Sequence, residues 1–358
     1  MERTDGNGIN GKIRSKSIVK VLGRMWSLLF LIVLIGVFSA RGVNFFTLRS
    51  LQNVLLASTL IMLFGIGETI VIISGGIDIS PMYVIGLSGV FGAIVMRDMH
   101  AAQIADGLVL TVGVLAILLI SILPGLVNGI IITKMKVPPL IVTIGTMAIA
   151  EGAVLMLTRG QHITGLPALV GTYGNSYLFT YVSQKGFLFF SQPTLQAQKA
   201  IGIIPLPVLI LAVVATGMAL LLSRTVFGQH VYAIGGNVSA ARLSGIPVDK
   251  TLIKVYILAS IMYGITGLVY VLRFGSASPT AGEPLLMSSV GAVFIGGASM
   301  AGGIGTIGGT VIGALIIAVL QTGLVLIKVS PFWQYIAMGL AIILAVFVDQ
   351  FKERLLQE

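Results

Sequence analysis

Long apolar runs separated by short polar interruptions occupy almost the whole chain. A helix crosses a bilayer core with roughly 20 consecutive apolar residues. Runs of that kind lie at 23–40, 52–74, 81–97, 107–133, 138–158, 205–223, 252–273, 285–299, 304–327 and 332–350, and predict about ten transmembrane helices. The second and third runs meet at a glycine-rich break, as do the eighth and ninth. Ser80-Pro81 reads as an N-cap followed by the first helical position, so a helix restarts after Gly75-Gly76. Pro138-Pro139 opens the fifth run, and Pro205 with Pro207 the sixth. Two polar stretches stand apart from the runs: 159–204, and the island GGNVSAARLSGIPVDKTLIK at 235–254. The predicted fold class is an all-α polytopic membrane protein with some helices broken at Gly-rich segments.

Composition agrees. Of 358 residues, 56% are hydrophobic and 9% charged, with a mean hydropathy of +1.04; soluble domains hold about 25% charged residues. There is no cysteine, which excludes disulfides and thiolate metal sites. Residues 1–22 are polar and basic and precede a retained first helix, because no small-x-small cleavage site with a soluble domain follows. The 45 glycines suit close helix packing. Gly125 with Gly129 and Gly309 with Gly313 are small-xxx-small pairs, whereas the run GGASMAGGIGTIGG (296–309) suits an interrupted helix that protein or water must satisfy.

Charge sets orientation. With the N-terminus inside, fourteen of the 22 Lys and Arg fall on the cytoplasmic side and eight on the other. Both termini are then cytoplasmic, with a basic tail at 1–22, a membrane body at 23–350 and a second tail at 351–358. Segment 224–254 faces the cytoplasm and 159–204 the outside. The net charge of +10 sits in loops and tails, not on one folded face, so it does not point to nucleic acid.

Candidate chemistry is sparse. Gly6-Asn-Gly-Ile-Asn-Gly11-Lys12-Ile13 falls one residue short of a P-loop and has Ile13 where a magnesium-binding hydroxyl belongs. Gly303-x-Gly305-x-x-Gly308 matches a dinucleotide fingerprint but lies between membrane runs, without the acidic residue a ribose needs. Neither supports nucleotide binding. His100, His162 and His230 are far apart, no metal spacing exists, and no catalytic constellation is present. Three acids, Glu68, Asp78 and Glu151, lie inside apolar runs, where a charge costs about 2.5–3.5 kcal/mol on insertion scales. Asp78 suits either a local cap at the helix break or a hydrogen-bond acceptor beside a translocation path. Interfacial anchoring is favoured for Glu151. Ser80, Asn128 and Thr146 join Glu68 and Asp78 as polar residues in apolar context, hence candidates for path lining or helix-break support.

Five segments carry a family likeness: GETIVIISGGIDIS (67–80), NGIIITKMKVPPLIVTIGTMAIAEG (128–152), IGGNVSAARLSGIPVDKTLIKVY (234–256), SASPTAGEPLLMSSVGAVFIGGASMAGGIGTIGGTVIGAL (276–315) and LAVFVD (344–349). Together they resemble the ribose-type permeases, the membrane subunits of bacterial ABC importers for monosaccharides and related polyols. The likeness runs from about Leu51 to Asp349. It implies a permease of about ten spans in the bacterial inner membrane, paired with a second permease subunit as homo- or heterodimer. A separate cytoplasmic ABC ATPase supplies ATP and magnesium chemistry, so this chain holds no cofactor or metal. An extracytoplasmic binding protein delivers the cargo. The resemblance further implies that the loop between the sixth and seventh spans docks on the ATPase, through Asn237, Ala240, Ala241, Arg242, Leu243, Gly245 and Ile246. The residues themselves agree: SAARLSG is helix-compatible, basic and stopped by Gly245 and Pro247. The chain departs from the family at Pro81-Met82-Tyr83 and in its long aromatic 159–204 segment, which suits an interfacial aromatic belt or a contact surface for the binding protein. Nucleosides, a furanose-like signal molecule and branched-chain amino acids are alternative cargoes, and an autonomous secondary transporter is the rival mechanism.

Overall fold

The computed structural model describes residues 27–42, 45–182, 186–191 and 200–357; the 1–22 tail lies outside them. Helices along the chain are α1 (Ser27–Arg41), α2 (Leu48–Ile73), α3 (Pro81–Ala101), α4 (Asp106–Lys134), α5 (Pro139–Thr158), α6 (Ala168–Gly174), α7 (Leu206–Arg224), α8 (Val226–Gly236), α9 (Val238–Leu243), α10 (Val248–Phe274), α11 (Glu283–Ile295), α12 (Ile307–Leu326) and α13 (Pro331–Gln357). Among the described residues seven of these, α2, α3, α4, α5, α7, α10 and α12, are long and apolar enough to cross a membrane. Each of the ten predicted runs overlaps a helix, α1, α11 and the apolar start of α13 being the shorter ones, and α13 runs on to Gln357 through the predicted 351–358 tail.

The centre is α2, in which every residue from Ser58 to Ile73 is buried. A helix apolar all round must be enclosed by others, and α7, α10, α11 and α12 surround it. α10 packs along α4, where Gly125 and Gly129 leave room for the backbone: a Cβ on Gly125 would stand 2.4 Å from the Tyr256 carbonyl oxygen. Gly313 likewise lets α12 approach Ala292 of α11. α4 turns Leu108, Leu115, Leu119, Leu123 and Val127 outward, a stripe at helical spacing that suits lipid.

Two helix breaks organise the interior. α2 ends at Ser74, and Gly75 adopts φ +82° before an irregular passage to Pro81. α11 has 13 residues, too few to cross alone, and is followed by an irregular stretch to Thr306 in which Gly302 and Gly303 have φ of +85° and +74°. The first turns of α3 and α11 meet. Gly282 abuts the Pro81 and Met82 carbonyls, and Tyr83 Oη donates to Glu283 Oε1 at 2.7 Å. The expected cap at Ser80 takes another form: Ser80 holds the N-cap position, but its hydroxyl makes no cap bond to α3. Glu151 lies within α5, not at its end.

The 159–204 segment contains α6 and a small antiparallel sheet ordered β2-β1-β3, with β1 (Tyr177–Val182), β2 (Gly186–Ser191) and β3 (Ala200–Gly202). Tyr177, Phe179 and Tyr181 alternate along β1, which places them on one face. The Phe179 and Phe189 rings meet at 5.0 Å. Period-two aromatics thus build strands where only a polar, aromatic loop was expected.

Candidate functional site

The 224–254 segment is more ordered than a connector. Thr225 caps α8, accepting from the Gly228 N–H at 3.3 Å. Asn237 caps α9, its Oδ1 accepting from the Ala240 N–H at 2.9 Å. α9 then stops in a Schellman motif: Gly245 has φ +81°, its N–H reaches the Arg242 carbonyl, and the Ile246 N–H reaches the Ala241 carbonyl, each at 3.1 Å. Ala241 is buried with Ile234 and Val248, and Ile246 packs against them. Arg242 Nη2 pairs with Asp249 Oδ1 at 3.0 Å, and Lys134 Nζ approaches the same carboxylate at 3.7 Å.

These contacts divide the seven predicted docking residues. Asn237, Ala241, Gly245 and Ile246 shape and seat the short helix. Ala240, Arg242 and Leu243 face outward, and Leu243 is 90% exposed.

The segment also grips the interior. Gly235, near the end of α8, is pressed so closely onto α2 that a Cβ there would stand 1.7 Å from the Ile73 carbonyl oxygen and 2.5 Å from the Gly303 nitrogen. Those two atoms are hydrogen-bonded to each other at 2.8 Å. Tyr232 Oη of α8 donates to the Gly305 carbonyl, also at 2.8 Å. One helix of the polar island therefore touches the end of α2 and the glycine run 302–305, which is to say both helix breaks.

The five polar residues singled out within apolar runs converge on one buried chain of hydrogen bonds. Asp78 Oδ1 accepts from the Ser80 N–H at 2.9 Å and from Ser80 Oγ at 2.6 Å. Asn128 Nδ2 of α4 donates to Ser80 Oγ at 3.3 Å, and Thr146 Oγ1 of α5 donates to Asn128 Oδ1 at 2.5 Å. At the other end Tyr263 Oη of α10 lies 2.8 Å from Glu68 Oε1 and 3.4 Å from Asp78 Oδ2. All six side chains are buried, and they tie α2, the first break, α4, α5 and α10 together. Tyr263 was missed in the sequence; a tyrosine in mid-span needs a partner for its hydroxyl, and that was its only signal. Among the described residues no three His, Asp or Glu gather as a metal ion requires.

Residues 50–346 match the family described as branched-chain amino acid transport system / permease component. The chain belongs to this family. It is 36% identical over 327 residues to the ribose import permease protein of Escherichia coli (strain K12), covering 91% of this chain and 94% of that one. The xylose transport system permease protein of Haemophilus influenzae (strain ATCC 51907 / DSM 11121 / KW20 / Rd) is 34% identical over 362 residues, at 90% and 94% coverage. The ribose import permease protein of Bacillus subtilis (strain 168) is 33% identical over 341 residues, at 95% and 96%. No solved structure matches the chain. This permease is a multi-pass protein of the inner membrane.

Proposed function

We propose that this permease is the membrane subunit of a bacterial ABC importer for a monosaccharide or related polyol. Its relatives named for ribose and xylose support that cargo class. A separate cytoplasmic ABC ATPase, with its own ATP and magnesium, docks on α9. An extracytoplasmic binding protein delivers the sugar, and a second permease subunit completes the pathway as homo- or heterodimer. One observation carries the coupling role: the exposed tip at Leu243 belongs to a segment packed through Gly235 onto both helix breaks. Closure of the ATPase would push on α9, and α8 would pass the displacement to the end of α2 and to residues 302–305. Asp78, Ser80, Asn128 and Thr146, with Glu68 and Tyr263, hold the first break in register, so that a shift of α2 is felt in α4, α5 and α10.

The test combines Arg242→Glu with Gly245→Pro. The first substitution turns the Asp249 pair repulsive; the second demands a φ near −65° where the chain has +81°. ATPase copurification and sugar-stimulated ATP hydrolysis should fall while membrane insertion is retained. Unchanged coupling would sink the assignment of α9. A second cargo reading, branched-chain amino acids, is favoured by the family's description; the ligand that copurifies with the cognate binding protein decides between them. Accumulation of substrate by proteoliposomes holding this chain alone, driven by an ion gradient, would favour a secondary transporter instead.

A further inference from the structure

A cavity of about 530 Å³ opens between α2, α10, α11, α12 and α13, within the roughly 300–1,000 Å³ typical of small-molecule sites. It lies at the helix ends remote from α9. Asn53 stands near the start of α2, Arg273 next to the last residue of α10, Gln321 near the end of α12 and Gln334 near the start of α13. Arg273 also borders a smaller cleft with Tyr177 and Pro205, which places this end beside the 159–204 segment.

The chemistry of the lining is unusual for this chain. Thr69, Thr158 and Thr266 each return their hydroxyl to the carbonyl four residues back, as buried hydroxyls in apolar helices do. Among the cavity's polar groups Gln334 Nε2 donates to the Val329 carbonyl at 2.9 Å, but Asn53, Ser288 and Gln321 are served poorly by comparison. Asn53 has no side-chain hydrogen-bond partner among the described residues. Gln321 Nε2 reaches only Ser288 Oγ and Met338 Sδ, both at 3.4 Å, and Ser288 Oγ also leans on that sulfur at 3.1 Å. Thioether sulfur is a weak acceptor. Amides left in this state against hydrocarbon would be costly, so the cavity needs water, protein or a ligand.

We propose that this cavity is a reception site for a neutral polyhydroxy compound on its way through the permease. The inference rests on the sugar-importer function proposed above and adds a location to it. Amide and hydroxyl groups both donate and accept, as sugar hydroxyls do, and Asn53, Ser288 and Gln321 present them from three different helices. Tyr335 and Leu285 supply an apolar wall for the carbon face of a ring. Arg273 is the only charged residue among the lining residues, and its Nη1 is held by the Leu56 carbonyl at 2.8 Å while the guanidinium lies over the Phe274 ring. A cation is repelled there, and one guanidinium donor is already spent on the protein.

Because the chain has no cysteine, single-cysteine reporters are clean. The complete importer carrying Asn53→Cys or Thr322→Cys is exposed to a membrane-impermeant maleimide, with D-ribose, D-xylose or D-ribonate as competitor. Labelling from outside is expected, slowed several-fold by the neutral pentoses, whereas the Leu119→Cys variant on the lipid face of α4 is insensitive. Gln321→Leu should raise the sugar concentration for half-maximal uptake several-fold and leave ATPase copurification near wild type. Stronger protection by ribonate overturns the neutral-ligand assignment. Blockage of both cysteines in the assembled complex regardless of sugar, with cross-linking between subunits, overturns the site in favour of a subunit interface. Uptake by the intact importer is measured first. No uptake of any monosaccharide or polyol refutes the proposed function itself; normal uptake without protection at either cysteine refutes the cavity alone.

Discussion

Replacing Gly235 by alanine probes the link between the 224–254 helices and the interior of the helical bundle. The new methyl would sit 1.7 Å from the Ile73 carbonyl oxygen, against a contact distance of about 3.5 Å. Both neighbours are backbone, so no side chain can swing aside; α8 must move away from α2 by roughly 1.5–2 Å. Overpacking of this kind costs about 1–3 kcal/mol. The methyl also presses on both atoms of the Gly303 N–H to Ile73 carbonyl bond, and opening that bond leaves an unmet buried donor at about 1–3 kcal/mol. Together the two effects amount to about 2–6 kcal/mol, concentrated at the junction of the two breaks. Gly236 is the control: a Cβ there meets nothing within 4 Å, and alanine at a helix end is neutral or slightly favourable. The assay compares sugar-stimulated ATP hydrolysis and thermal denaturation of the purified importer for Gly235→Ala and Gly236→Ala. The first is expected to lose most of its stimulation and melt lower, and the second to match wild type. Equal behaviour of the two variants would falsify the junction as a transmission point.

Leu243→Asp should abolish or strongly weaken ATPase copurification without lowering the melting temperature, because the side chain is 90% exposed and supports no contact within the chain; retained copurification excludes it as a docking residue. Asn237→Ala removes the cap of α9 and should cost about 1 kcal/mol locally. Hydrogen exchange of the α9 amides would rise, while Asn237→Ser restores protection. Tyr263→Phe leaves Glu68 without its hydroxyl donor and weakens the hold on Asp78, at about 1–3 kcal/mol for the unmet buried group. A melting temperature equal to wild type would show that the hydroxyl carries no structural weight.

Much of the architecture was legible because a bilayer imposes a local rule. About 20 apolar residues make a crossing whatever their neighbours do, and Lys and Arg report the side they are on. The seven membrane-length helices, the breaks at Gly75 and after Gly296, and the short helix at Val238–Leu243 with its glycine stop all follow from stretches of a few dozen residues. The five polar residues were legible for a related reason: each is an anomaly against its own apolar surroundings.

What joins them was not legible. Tyr263 lies 195 positions from Glu68, and no local pattern says that α10 carries its hydroxyl to that carboxylate. Gly235 looked like one glycine among 45, and only the packing of α8 against Ile73 and Gly303 gives its missing side chain a purpose. The amides around the cavity between α2, α10, α11, α12 and α13 come from separate helices whose sequences mark none of them as special. By itself the sequence determined which segments are long and apolar enough to enter the membrane, since hydrophobic length acts segment by segment. The tertiary structure decided which polar groups meet, because helix rotation and approach depend on the summed contacts of many distant side chains.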